Sequence, residues 1–137
     1  MKKLSQDQIL NFLLYAGAVY FFGVALMHSM GLKIPGLYVY YNVPSYAYQD
    51  RIISFLAFGW SGFFLLTAKK MDKDLIRLIV YIGLIAVIAL VLNTTITDFK
   101  QIDPSISGSD FKWIIGALIF YWLGLVMHSR QHLFKKR

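Results

Sequence analysis

The run LIVYIGLIAVIALVLNTTIT, residues 78–97, carries twenty residues without one acidic or basic side chain. At 1.5 Å per residue, an α-helix of that length spans about 30 Å, the thickness of the hydrocarbon core of a bilayer. Three more stretches, 9–30, 52–68 and 113–129, are equally free of Asp, Lys and Arg and are 17 to 22 residues long. Four transmembrane helices follow. Pro44 and Ser45 supply a start signal that lengthens the second helix toward the interface.

Composition agrees with that reading. Of 137 residues, 58% are apolar, 17% aromatic and only 15% charged, too little polar surface for a soluble domain of this size. No linker or low-complexity break divides the chain, so the sequence reads as a single domain over 1–137. The predicted fold is all-α, an integral membrane four-helix bundle. Its helices cover about 9–30, 48–68, 76–97 and 112–129, with outer loops at about 31–47 and 98–111. Lys2 and Lys3 before an apolar run, followed by Ala16-Gly17-Ala18, resemble a cleavable signal. Apolar sequence continues well past Ala18, however, which predicts retention as the first helix.

The basic residues fall very unevenly between the two ends of such a bundle. Lys2, Lys3, Lys69, Lys70, Lys73, Arg77, Arg130, Lys135, Lys136 and Arg137 share one side, against Lys33, Arg51, Lys100 and Lys112 on the other. Ten against four predicts cytoplasmic termini, N-in/C-in, in a bacterial inner membrane. With Asp7, Asp72 and Asp74 counted, the inner face carries +7, while Asp50, Asp98, Asp103 and Asp110 bring the outer face to zero. The expected partners are therefore anionic lipid head groups at the cytoplasmic face. Topology already accounts for the high pI, and no nucleic acid is needed to explain it.

This topology separates two histidines that look paired in sequence. YFFGVALMHS at 20–29 and FYWLGLVMHS at 120–129 both end in Met-His-Ser, but His28 ends an outward helix and His128 an inward one. They cannot share a metal or a haem. His128 and His132 are four apart, on one helical face, a spacing that suits zinc. With no acid nearby in sequence, the plainer expectation is a basic helix end whose side chains reach lipid phosphates. No metal or other cofactor is called.

Polar residues gather instead at the outer end: His28, Asp50, Arg51, Asn93, Thr97, Asp98, Lys112 and Trp113. Ser54 and Ser61 continue the helical face that Asp50 starts. Asn93 sits about 6 Å inside the hydrocarbon edge, where an unpaired amide costs on the order of 1–3 kcal/mol, so it needs a partner. Tyr38, Tyr40, Tyr41, Tyr46 and Tyr48 crowd the intervening loop, either as an aromatic belt at the interface or as a lid over a pocket. Two readings of the cluster stand side by side. One fastens helix ends, with Asp50 paired to Lys112 or Arg51 to Asp98. The other is a site: His28 as proton donor or acceptor, Asp50 as its orienting carboxylate, and Arg51 or Lys112 facing an anionic or quinone-like group.

The missing residues remove several function classes. With no cysteine, thiol redox chemistry and iron–sulfur centres are excluded. With no glutamate, the small multidrug antiporters that depend on one in their first helix are disfavoured, and the charge imbalance disfavours dual-topology channels. Two classes survive. The first is a non-catalytic subunit or assembly and accessory factor of a membrane complex, with protein partners or a second copy of itself. The second is a binding protein for a lipophilic molecule, quinone or lipid, at the outer leaflet, with a redox or proton link. The expectation leans away from an enzyme.

Overall fold

The structure, a computed structural model, describes residues 5–134. Lys2, Lys3, Lys135, Lys136 and Arg137, half of the basic face, lie outside the described residues. The elements are α1 (Gln6–Ser29), α2 (Ala47–Lys70), α3 (Lys73–Ile96), the single turn α4 (Phe99–Ile102), a 3₁₀ turn (Gly108–Phe111) and α5 (Lys112–Phe134). Among the described residues there is no strand. Four helical segments, Gln6–Ser29, Ala47–Lys70, Lys73–Ile96 and Gly108–Leu133, are long and apolar enough to cross a membrane. Runs 52–68 and 113–129 lie inside their segments, and 9–30 and 78–97 overrun theirs by one residue each, Met30 and Thr97.

Local chemistry sets the helix ends. Ser5 opens α1 with a capping box: its hydroxyl accepts from the Gln8 amide at 3.2 Å, and its own amide donates to the Gln8 side chain at 2.9 Å. Between α2 and α3 the chain turns on Met71 and Asp72. Met71 adopts φ 48°, the left-handed conformation that ends helices, and its amide donates to the Thr67 carbonyl. Asp72 then caps α3, accepting from the amides of Asp74 and Leu75.

The helices pack as the row α2, α1, α5, α3; α2 and α3, though adjacent in sequence, touch only sparsely. The α1–α2 contact is a ladder. Asp50 meets His28, the Ser54 hydroxyl donates to the Ala25 carbonyl at 2.8 Å, and the Ser61 hydroxyl donates to the Ala18 carbonyl at 2.8 Å. The Asn11 amide closes the far end by donating to the Ala68 carbonyl at 2.6 Å. Partners advance by about one turn at the first step and two at each of the next, in opposite directions, as antiparallel helices require. These bonds and close packing hold the pair. Tyr121 and Trp122 do the same for α5, donating to the carbonyls of Leu13 on α1 and Val80 on α3 at 2.8 and 2.9 Å.

The main core lies in the half nearest the Met71 turn, where Leu10, Leu14, Ala18, Phe64, Ala68, Ile76, Ile79 and Leu125 meet. Two glycines make close crossings possible there: Gly17 sits under the rings of Tyr121 and Phe64, and Gly83 under Trp122. Ala86 and Ala89, further along α3, are exposed and take no part in such a crossing. At the opposite end Phe99, Ile106, Phe111 and Ile115 form a second core, covered by Val39, Tyr40, Tyr41 and Val43 from the long loop. That loop end carries the candidate site.

Candidate functional site

Loop 30–46 leaves α1 through Gly31 and reverses at Gly36, with φ of 67° and 94°, values in which a side chain is strained and glycine is not. The Tyr38 amide donates back to the Ile34 carbonyl at 3.0 Å, closing the turn. This reversal lays Tyr38 flat on His28, ring centroids 3.6 Å apart and planes 21° from parallel. His28 Nδ1 donates to Asp50 Oδ1 at 3.1 Å, and Ser45 donates to Asp50 Oδ2 at 2.9 Å. His28 and Asp50 are each 7% exposed and Tyr38 is 5% exposed. One histidine, one acid, a hydroxyl and a covering ring therefore form a buried unit that joins α1, the loop and α2.

The Tyr38 hydroxyl is buried without a hydrogen-bond partner among the described residues. Burial, with Asp50 close by, pushes its ionisation up to about 12, so the phenol stays neutral at physiological pH.

The remaining candidates fall elsewhere. Asn93 donates to the Tyr40 hydroxyl at 2.8 Å, Thr97 donates to the Asn93 side-chain carbonyl at 3.2 Å, and Tyr40 and Thr94 hydroxyls lie 3.2 Å apart. Asn93 thus has the partner its depth demands, on the loop rather than on another long helix. Tyr40 also packs on Phe99 and Phe111. Asp98 accepts from the Lys100 amide and caps α4. The pairs Asp50–Lys112 and Arg51–Asp98 do not form: Asp50 is taken by His28 and Ser45, Asp98 by its own turn, and Lys112 is exposed. Trp113 is exposed too, its ring edge lying over Gly36. Arg51 points away from the His28 unit and lines a groove between α1 and α2.

The five loop tyrosines divide into two groups. Tyr38, Tyr40 and Tyr41 turn inward as fasteners and core, whereas Tyr46 and Tyr48, 71% and 60% exposed, stack on each other at the surface at 5.8 Å. Two participants in the site were missed from sequence. Ser45 reads in sequence only as a start signal for α2, and Thr94, one turn before Asp98, joins through the loop's Tyr40.

At the opposite end His128 bonds Gln6 at 2.6 Å and His132 bonds Asp7 at 3.0 Å, with Gln131 also donating to Asp7. The acid near these histidines comes from the start of α1, 125 residues away in sequence. His28 stands 22 residues further along α1 than Gln6, about 33 Å by helical rise, so the two Met-His-Ser segments occupy opposite ends. Among the described residues no three His or Asp side chains lie close enough together to hold a metal ion. Compared with protein-family models, with curated proteins and with solved structures, the chain shows no match.

Proposed function

We propose that this chain is a multi-pass protein of a bacterial inner membrane, with both termini cytoplasmic, that serves as a non-catalytic subunit or accessory factor of a membrane complex. The observation that carries the reading is the buried His28–Asp50–Ser45 unit under Tyr38. A proton-transferring histidine must reach its substrate within about 3 Å or through one water. Here the imidazole face is covered by a ring at 3.6 Å and its Nδ1 is committed to Asp50. Asn93, Thr97 and Asp98 are likewise engaged by the protein itself. The outer residues hold the scaffold together and leave its long apolar faces to lipid and partner helices.

The orientation is supported by Lys69, Lys70, Lys73 and Arg77, which cluster around one end of the bundle while the tyrosine loop caps the other. A reporter active only in the periplasm, fused after Arg137, is expected to stay silent; activity would reverse the topology. Gentle extraction followed by native mass spectrometry is expected to recover the chain with a partner protein or a second copy. A bare monomer under conditions that preserve other complexes of the same membrane would count against the subunit reading.

A further inference from the structure

Between the ends of α1 and α2 nearest the tyrosine loop lies a groove of about 320 Å³, open on its outer side. Its floor is Ala25 and Ser54, small residues, and the Ser54 hydroxyl is spent on the Ala25 carbonyl. Its walls are Phe22 and Leu26 from α1 and Phe55 and Phe58 from α2; the Phe22 and Phe58 rings meet at 6.4 Å and close the deep end. Arg51 stands at the mouth. From Arg51 to Phe58 the groove runs along seven residues of helix, about 10 Å, the depth of the upper third of a hydrocarbon core.

We propose that this groove seats an acyl chain of an anionic phospholipid, with the head-group phosphate held by Arg51. Three observations select that occupant. Arg51 makes no hydrogen bond or ion pair among the described residues, so its guanidinium is available for the bidentate contact that phosphate offers. Asp50, its neighbour in the first turn of α2, is turned away into its bonds with His28 and Ser45. Below Arg51 the groove offers no free donor, because the Ser29 hydroxyl also bonds its own helix at the Leu26 carbonyl. A hydrocarbon chain needs none, whereas a quinone seated there would pair at most one carbonyl with Arg51 and bury the other unpaired.

Photoreactive phosphatidylglycerol and phosphatidylcholine, each with a diazirine in the upper acyl chain, test this in vesicles containing the full-length protein. Phosphatidylglycerol is expected to label segments 22–29 and 51–58 well above phosphatidylcholine. Arg51→Gln should lower that label about tenfold, the equivalent of about 1.4 kcal/mol, while label near Lys69 and Lys70 stays unchanged and reports an intact fold. Leu26→Trp, which fills the groove at an exposed position, should remove the label of both lipids. Equal labelling by the two lipids, an Arg51→Gln protein that keeps its preference, or label displaced by a quinone analogue but not by excess phosphatidylglycerol would each overturn the proposal. Because Arg51 takes no part in the His28 unit, these outcomes leave the subunit reading standing or falling on its own experiments.

Discussion

The His28–Asp50 pair makes a quantitative demand that separates a fastener from a site. Replacing His28 by Leu leaves Asp50, 7% exposed, with the Ser45 hydroxyl as its sole donor. Breaking a buried pair in this way costs about 3–5 kcal/mol, because the stranded acid must be desolvated or protonated. Asp50→Leu should cost less, about 1–3 kcal/mol, since it strands only the His28 N–H. In His28→Leu/Asp50→Leu both polar groups are gone and two apolar side chains share the space under Tyr38, so the double variant should lie within about 1.5 kcal/mol of the parent. The order of stability is then parent, double variant, Asp50→Leu, His28→Leu, with a coupling of at least about 2 kcal/mol. Denaturant-detergent titration of the purified protein, followed by tryptophan fluorescence and checked by the abundance of each variant in membranes, reads this order. Additive single effects would show that the two residues do not act as a pair. Single variants that melt like the parent yet abolish the cellular phenotype would refute the fastener and restore His28 as a chemical group.

Two further expectations test the packing and the loop. A Cβ at Gly17 would overlap the Tyr121 hydroxyl and stand 2.5 Å from the Phe64 ring, so Gly17→Ala should cost about 1–3 kcal/mol; Gly62→Ala, with nothing within 4 Å, should leave the melting temperature unchanged or raise it. Tyr38→Phe removes a buried hydroxyl that has no partner and should stabilise the protein by about 1 kcal/mol. Its effect is also pH-dependent. The folded chain holds the Tyr38 proton up to about 12, against about 10 when unfolded, so stability from this group is intact below pH 10 and falls as pH rises through that window. Parent and Tyr38→Phe melting curves should diverge above pH 10; parallel curves would show that Tyr38 titrates as an exposed phenol.

Much of the fold can be read from charge-free runs, because a membrane crossing is a one-dimensional constraint of length and composition. The polar face of α2 was legible for a similar reason: Asp50, Ser54 and Ser61 recur at helical spacing and all turn to α1. Their partners were not legible. Ser54 and Ser61 donate to backbone carbonyls, which every residue possesses, so no sequence pattern marks Ala25 or Ala18. The tyrosines failed for a different reason. Tyr38 and Tyr46 have the same interfacial chemistry, and only the reversal at Gly31 and Gly36 decides that one is buried and the other exposed. Asp7 meeting His132 is a contact between the two ends of the chain, which local spacing cannot encode.

The row of helices explains why polar residues gather at the loop end. Near the Met71 turn, α1, α2, α3 and α5 share one apolar core. Towards the loop, α2 and α3 stand at opposite ends of the row, and after Val80 α3 has no fully buried residue. Something other than helix contact must join the α1–α2 pair to α3 and α5 there. Loop 30–46 does so with one tyrosine on each side, Tyr38 against His28 and Tyr40 against Asn93, Thr94, Phe99 and Phe111. Each contact combines a ring with a polar group in its neighbourhood, a combination suited to the interface, where apolar and hydrated surroundings meet within one side chain's length. The outer polar cluster lies where the loop closes the two halves of the bundle over one another.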